Sequence, residues 1–311
     1  MKKCLIIDRM HECIIPLLEE AGYQVDYRPG LSRDEVLAII PEYAGLIVRS
    51  KLAVDQEVVH RATALRFVGR AGAGVDQLDT DALAARNIAV LNAPEGNRDA
   101  LAEHMVGMLL TLLNKIHLAD RQIRSGTWDR EGNRGVELMG KTVGLVGYGY
   151  MGRAFAQRLS GFGVNVLAYD KYKRNYGDAY ASEASMNQLY KQANIISFHV
   201  PLTAETRNMV NETYLNRFQK DIFFLNSARG QIATLKTLAE GLQRGQLRGV
   251  ALDVLENERL SQLTDEQRPY FDELRQSDRV LLTPHVAGWT YESYEKISRV
   301  LAEKIRALNP T

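Results

Sequence analysis

The sequence has few cysteines, almost no net charge and no long hydrophobic run. Its 311 residues include only two cysteines, Cys4 and Cys13, which is too few for a disulfide framework and gives no metal-ligand spacing. Lys and Arg total 39 against 38 Asp and Glu, so no overall field attracts nucleic acid or an anionic membrane. The longest apolar stretch, 105–113, falls well short of the roughly 20 residues that span a bilayer.

These absences exclude several classes of protein. The apolar run near the start of the chain ends at Asp8, too early for a signal peptide. We therefore expect a cytoplasmic protein without a resident metal, a nucleic-acid partner or a membrane span. Any anionic ligand must be held by a local group of basic residues.

Short apolar segments alternate with amphipathic segments of helix length along the whole chain. Helices are predicted at 14–20, 154–162 and 234–243. Apolar runs on consecutive positions are typical of parallel strands buried on both faces, and this alternation predicts an α/β fold with doubly wound parallel sheets. The predicted strands are 3–8, 46–48, 67–69, 89–91, 142–146, 165–168, 195–198, 222–225, 249–252 and 280–282.

Ten strands favour two sheets over one. A turn at 94–97 and the segment 284–288 mark the two boundaries, with a long helix at about 100–123 after the first. A closing helix at about 291–308 would return to the first domain. This predicts a discontinuous domain, 1–96 with 289–311, and a second domain, 97–288; a single long doubly wound domain is the alternative.

A glycine-rich motif follows the predicted strand 142–146. It reads Gly147-Tyr148-Gly149-Tyr150-Met151-Gly152 and leads into an amphipathic stretch at 153–162. In such motifs one glycine makes a tight turn, the next lets a pyrophosphate approach backbone N–H groups, and the last lets the helix pack on the strand. The glycine pattern alone is a weak signal, but strand, glycines and helix in this order predict dinucleotide binding.

An acidic residue ends the next predicted strand. Asp170 lies 18 residues after Gly152, close to the spacing of the carboxylate that binds the ribose hydroxyls of a dinucleotide. A carboxylate there repels a 2′-phosphate, so the sequence predicts NAD rather than NADP. The basic residues Lys171, Lys173 and Arg174 are compatible with a 2′-phosphate, but we interpret them as a solvated turn.

Polar segments follow the later predicted strands, where ligands bind in open α/β sheets. They lie at 199–203, 226–230, 251–258 and 282–288. With these motifs in this order, the chain resembles the D-isomer-specific 2-hydroxyacid dehydrogenase family over essentially its whole length. The resemblance implies two Rossmann-like domains with a cleft between them, NAD as cofactor, and a homodimer built through the long helix.

The resemblance also implies the roles of individual residues. It carries the family's catalytic trio over to Arg229, Glu258 and His285. Besides Gly147, Gly149, Gly152 and Asp170, it implies cofactor contacts from Tyr150, Met151, His199, Val200, Pro201, Thr206, Ser227, Ala228, Arg229, Asp253, His285 and Gly288.

The trio suits hydride transfer from a 2-hydroxy acid. A histidine accepts the hydroxyl proton near neutrality, a carboxylate beside it favours the imidazolium, and an arginine presents two parallel donors to the substrate carboxylate. Glu258 is preferred to Glu256 because it has the family's spacing from Asp253. Arg259 stands where the family usually has proline, and we expect the polar insert 260–278 to hold Glu258 somewhat differently.

Basic and glycine residues near two strand ends of the first domain predict the substrate site. Arg49 and Arg70 offer donors to a phosphate, and successive N–H groups of a glycine-rich turn suit a carboxylate. The alternative is that both arginines are structural, paired with Asp55 or Asp76. The predicted substrate residues are Arg49, Ser50, Arg70, Ala71, Gly72, Ala73, Gly74 and Asn97.

The basic residues of this predicted substrate site favour a phosphorylated 2-hydroxy acid as the substrate. A reductase of glyoxylate or hydroxypyruvate, or a D-lactate-type enzyme, is the alternative within the family. A non-catalytic NAD-sensing corepressor is the alternative from another class. Longer members of the family carry a C-terminal regulatory domain, which we do not expect after Thr311.

Overall fold

The computed structural model describes residues 2–308, in which strands and helices alternate. The strands are β1 (Lys2–Ile6), β2 (Tyr23–Tyr27), β3 (Gly45–Val48), β4 (Phe67–Arg70), β5 (Ala89–Asn92), β6 (Thr142–Val146), β7 (Asn165–Tyr169), β8 (Ser182–Glu183), β9 (Ile195–Phe198), β10 (Ile222–Asn226), β11 (Leu247–Leu252) and β12 (Val280–Leu282). The helices are α1 (Ile14–Glu20), α2 (Arg33–Ile39), α3 (Gln56–Arg61), α4 (Thr80–Ala85), α5 (Pro94–Leu113), α6 (Ile116–Arg124), α7 (Tyr150–Leu159), α8 (Met186–Gln192), α9 (Glu212–Leu215), α10 (Leu235–Gln243), α11 (Gln267–Gln276) and α12 (Tyr291–Ala307).

The first sheet has the strand order β2-β1-β3-β4-β5, and all of its neighbouring strands are parallel. Successive side chains of a strand point to opposite faces, so β1 supplies two cores. Leu5 packs in one core with residues of α2, α3 and α4. Ile6 packs in the other core with Phe67 of β4 and residues of α1 and α12.

The second sheet has the strand order β12-β11-β10-β9-β6-β7-β8, again with parallel neighbours. Because β6 lies between β7 and β9, the order changes direction there, which is where open α/β sheets bind their ligands. Val143 and Leu145 pack with residues of α5 and α7 on one face. Ile196 and Phe198 pack with residues of α8 and α10 on the other.

Contacts divide the chain into two units, each with one of the sheets. One unit contains the residues up to Arg98 and from Trp289 onward, and the other is Asp99–Gly288. The predicted boundaries, 96/97 and 288/289, lie within two residues of this division. The outer ends of the predicted first domain, 1 and 309–311, lie outside the described residues.

The predicted α/β class is confirmed, and several predicted elements differ from the structure. The predicted helix at about 100–123 is two helices, α5 and α6, because Lys115 adopts a left-handed φ of 53° between them. The predicted turn at 94–97 is wrong: these residues are the first turn of α5, where a proline such as Pro94 needs no hydrogen-bonded N–H. The polar insert 260–278 contains α11.

Two strands were missed. The edge strand β2 alternates polar and apolar residues, and β8 is only two residues long. In the part of the chain that the structure describes, no helix is both long and apolar enough to cross a membrane.

Candidate active site

The three glycines after β6 differ in what surrounds them. Gly147 has a φ of 97° and packs against the backbone of His199, so that a Cβ there would collide with the His199 carbonyl group. A Cβ on Gly152 would collide with the carbonyl oxygen of Gly147. A Cβ on Gly149, the N-cap of α7, would meet nothing within 4 Å. The chain therefore leaves open space at a helix N-terminus, which fits the pyrophosphate of a dinucleotide.

Asp170 is held by backbone N–H groups. Its Oδ2 accepts from the N–H of Tyr148 at 3.0 Å, and its Oδ1 accepts from Tyr172 at 3.0 Å and Lys173 at 3.2 Å. This fixes the carboxylate at the end of β7, beside the glycine motif. A carboxylate has about four acceptor positions, so capacity remains for a ribose hydroxyl.

The basic residues after Asp170 have partners within their own region. Lys171 pairs with Glu205, and Nζ of Lys173 donates to the carbonyl oxygen of Tyr148 at 2.6 Å. Arg174 donates to the Lys173 carbonyl oxygen at 2.7 Å. These contacts support the interpretation of this run as a turn rather than a 2′-phosphate site.

His199 is a largely buried histidine at the end of β9. Its Nε2 lies 2.9 Å from Oγ of Ser197, and its ring packs on Phe155. Burial lowers the pKa of His199 to about 4, because the charged ring would lose its hydration. A histidine in this state suits a wall of the nicotinamide site and not proton transfer near neutrality.

The segment after β10 is shaped by Asn226, which the sequence did not single out. Its Nδ2 donates to the carbonyl oxygen of Arg229 at 2.9 Å, and its Oδ1 accepts from the N–H of Ala228 at 3.0 Å. Between them, Oγ of Ser227 is buried without a hydrogen-bond partner among the described residues. A buried hydroxyl in that state favours a bound ligand, and Ser227 is one of the predicted cofactor residues.

Glu258 and His285 lie together despite the insert between them. The Glu258 carboxylate approaches Nδ1 of His285 at 2.9 Å, and about half of each side chain is exposed. His285 has a φ of 56°, a left-handed conformation that few non-glycine residues adopt, and its N–H donates to the Asp253 carbonyl oxygen at 2.8 Å. The carboxylate thus orients the ring and leaves Nε2 to exchange a proton.

The Asp253 side chain accepts hydrogen bonds from the segment that carries His285. Its buried carboxylate accepts from the N–H groups of Val286 and Ala287, both at 2.9 Å, and from the hydroxyl of Thr283 at 2.6 Å. His104 on α5, which the sequence did not single out, has Nε2 at 3.1 Å from the same hydroxyl. Three donors on one buried carboxylate give it a positioning role for the loop, beside the predicted cofactor contact.

A comparison with protein families identifies the unit that carries these residues. Residues 106–287, inside the unit Asp99–Gly288, match the model of the D-isomer specific 2-hydroxyacid dehydrogenase, NAD binding domain. This chain is a member of that family. NAD is accordingly the cofactor of this unit.

Known 2-hydroxyacid dehydrogenases of this family are similar over nearly the whole chain. The D-3-phosphoglycerate dehydrogenase of Methanocaldococcus jannaschii is 35% identical over 98% of this chain and 57% of its own length. That of Mycobacterium tuberculosis is 37% identical over 97% of this chain and 56% of its own length. The chain thus spans just over half the length of these curated relatives. A solved structure from Thermus thermophilus is 29% identical, with a TM-score of 0.82 over 97% of this chain and 95% of its own.

The remaining predicted cofactor residues of the NAD-binding unit follow strand ends of one sheet. Thr206 donates its hydroxyl to the Pro201 carbonyl oxygen at 2.7 Å, which closes the loop after β9. Gly230 packs so tightly that a Cβ would collide with the Leu255 carbonyl group, which fixes the residue after Arg229. Arg229 itself donates to the Ala228 carbonyl oxygen at 2.6 Å. The others are Tyr150 and Met151 at the start of α7, Val200 after β9, and Gly288 after β12.

The predicted substrate residues belong to the other unit of the chain. The alternative in which Arg49 pairs with Asp55 is wrong, since the Asp55 carboxylate binds Arg33 at 2.8 Å. Arg70 donates to the Ala71 carbonyl oxygen at 3.2 Å. Oδ1 of Asn97 is buried and has no hydrogen-bond partner among the described residues.

The glycine-rich turn offers fewer free N–H groups than the sequence suggested. The N–H of Ala71 donates to Val48 at 2.8 Å, and that of Gly72 donates to Arg70 at 2.9 Å. Within the described residues, this leaves Ala73 and Gly74 as the N–H groups of the turn for an anion. Ser50 lies exposed at the end of β3, next to Arg49. Within residues 2–308, no cluster of His, Cys, Asp and Glu fits a metal ion.

Proposed function

We propose that the chain catalyses reversible hydride transfer between NAD and a D-2-hydroxy acid. The observation that carries this proposal is the Glu258–His285 pair, with 2.9 Å between carboxylate and Nδ1. A histidine oriented in this way is a suitable base for a hydroxyl proton. The family membership and the NAD-binding unit support the same chemistry.

In the proposed mechanism His285 takes the proton from the substrate hydroxyl in the oxidation direction and returns it in the reduction direction. Glu258 stabilises the imidazolium that forms between these two events. Arg229 binds the substrate carboxylate and, in reduction, polarises the carbonyl oxygen. NAD, when bound, supplies the acceptor for the hydride from the carbinol carbon. Asp253 keeps the His285 loop in place, and neutral His199 excludes water beside the nicotinamide.

The cofactor residues of the chain fit NAD. Gly149 leaves space that suits a pyrophosphate, and Asp170 is held beside the glycine motif with acceptor capacity for a ribose hydroxyl. The basic residues beside Asp170 are committed to local partners, which favours NAD over NADP. Ser227 offers an unsatisfied hydroxyl to the cofactor.

We further propose that the natural pair is D-3-phosphoglycerate and 3-phosphohydroxypyruvate, a step of serine biosynthesis. The curated relatives at 35% and 37% identity are named D-3-phosphoglycerate dehydrogenases. Arg49 and Arg70 supply basic groups for the phosphate, and the N–H groups of Ala73 and Gly74 are suited to an anion.

We also propose that the chain forms a homodimer. Ile116 and Ile123 on α6 are exposed apolar side chains that a dimer interface would cover.

The deciding experiment is steady-state kcat/KM with NADH for phosphohydroxypyruvate, hydroxypyruvate, glyoxylate and pyruvate, repeated with NADPH. We expect a preference of about a hundredfold for the phosphorylated acid, equivalent to about 2.7 kcal/mol. A higher value for glyoxylate or hydroxypyruvate would instead identify a general hydroxyacid reductase. Absence of turnover with every acid, together with intact NADH binding, would indicate the corepressor function.

A further inference from the structure

An aromatic residue that no predicted role includes lies against Arg49. The guanidinium carbon of Arg49, directly after β3, is 3.6 Å from the centroid of the Trp289 indole. Trp289 directly precedes Thr290, the N-cap of α12, and both residues of the pair belong to the same unit. The distance is well inside the roughly 6 Å limit of a cation–π contact.

The backbone of Arg49 is held on both sides. Its N–H donates to the buried carboxylate of Asp8 at 2.6 Å, and its carbonyl oxygen accepts from Nε2 of Gln77. Trp289 is held in turn, since its ring packs edge-on against Tyr294 at 5.1 Å between centroids. The guanidinium therefore has a defined position on a supported aromatic surface.

The guanidinium donors of Arg49 are not used inside the described part of the chain. No carboxylate or carbonyl oxygen there accepts a hydrogen bond from them, whereas the guanidinium of Arg33 donates to both Asp55 and Glu57. Arg49 is also half-buried, and this burial lowers the pKa of its guanidinium without discharging it. A partly desolvated cation with unused, coplanar donors is complementary to an oxyanion with two oxygens in one plane.

We propose that Trp289 is a specificity-determining residue, which holds the Arg49 guanidinium so that its edge binds the distal oxyanion of the substrate. The inference rests on the proposed function for the identity of that substrate. The binding of an anion by Arg49 does not depend on the proposed function. With the indole covering one face of the guanidinium, in-plane donors are left for two oxygens of a phosphate or a carboxylate. A lysine at position 49 would lack both the stacking face and the paired donors.

The first test uses kinetics. Trp289→Leu is expected to raise KM for the phosphorylated acid about three- to tenfold while kcat stays unchanged, and Trp289→Phe should give a smaller rise. The matched control is Tyr291→Leu, since Tyr291 is almost fully exposed two residues away. An unchanged KM in Trp289→Leu, or an equal change in the control, would contradict the proposal.

The second test does not depend on turnover. The chain has two tryptophans, so Trp128→Phe leaves Trp289 as the only indole, and the Trp128 side chain that is replaced is exposed. This full-length variant is titrated with inorganic phosphate, D-3-phosphoglycerate, D-glycerate and D-lactate while the emission of Trp289 is measured. A saturable change with phosphate and phosphoglycerate, lost on adding Arg49→Met, is the expected result.

The other outcomes separate the two proposals. A saturable response to D-glycerate or D-lactate but not to phosphate would contradict both the phosphorylated substrate and the assignment of Arg49 to a distal oxyanion, because these acids carry only the carboxylate beside the hydroxyl. No response to any of these anions would overturn the anion site. In that case, turnover of the phosphorylated acid by the unmodified protein would still support the proposed function.

Discussion

Nδ1 of His285 lies 2.9 Å from the Glu258 carboxylate, although the two residues are 27 positions apart in the chain. We expect His285→Gln to lower kcat/KM by about 10²- to 10⁴-fold, the range for loss of a general acid–base group, while NADH binding persists. Glu258→Gln should lower kcat/KM less, because the base remains and only its orientation and charge are affected.

Glu256→Gln is the matched control for Glu258, since the Glu256 carboxylate accepts from the N–H of Leu235 instead of contacting His285. Its glutamine amide oxygen still accepts that hydrogen bond, so kcat/KM should stay close to the unmodified value. If both substitutions reduce kcat/KM equally, Glu258 has no separate role.

Asp253→Asn tests the support of the catalytic loop. The substituted amide would turn a donor group toward the N–H of Val286 or Ala287, which now meet a carboxylate oxygen. We expect the free energy of unfolding to fall by about 1–3 kcal/mol and kcat to fall as well.

Thr283→Val serves as the milder comparison, because it removes one donor to Asp253 and leaves the two backbone donors in place. Urea unfolding and kcat are measured on both variants. A normal kcat in Asp253→Asn, whatever its stability, would show that the loop needs no carboxylate.

Gly149→Ala and Gly152→Ala test which glycine leaves space for a ligand and which is needed for packing within the chain. A Cβ at 149 meets nothing in the chain, so the first variant should keep its melting temperature and lose NADH affinity. A Cβ at 152 collides with the Gly147 backbone, so the second should lose stability. Thermal melts and NADH titrations check both; tight NADH binding by Gly149→Ala would contradict the assigned pyrophosphate position.

His199 gives a pH dependence of stability. Its folded pKa of about 4 lies below the ordinary histidine value, so the unfolded chain binds the extra proton between about pH 6.5 and pH 4. The stabilisation from its neutral form is complete above this window and falls as the pH drops through it, by about 3 kcal/mol in total. Urea unfolding at several pH values in this window should show that His199→Gln loses less free energy of unfolding with falling pH than the unmodified protein. The same pH dependence in both proteins would argue against a neutral ring at position 199.

Much of the fold was predictable because buried parallel strands have a local signature. The strands at 142–146, 195–198 and 280–282 have the predicted bounds, and the family model covers the glycine motif that follows the first of them. The signature is absent from the half-exposed edge strand β2 and from the polar helix α11, so both were missed. The break at Lys115 was missed as well, because nothing in its neighbours requires a left-handed backbone.

The sequence by itself determined the class of fold, the dinucleotide motif and the residue types of the candidate site, because these depend on neighbouring residues and short spacings. Only the tertiary structure decided which side chains meet. The three donors on Asp253, the Glu258–His285 pair and the Arg49–Trp289 stack each join residues 27 or more positions apart. Such contacts depend on strand order, register and loop conformation, and a local pattern encodes none of these.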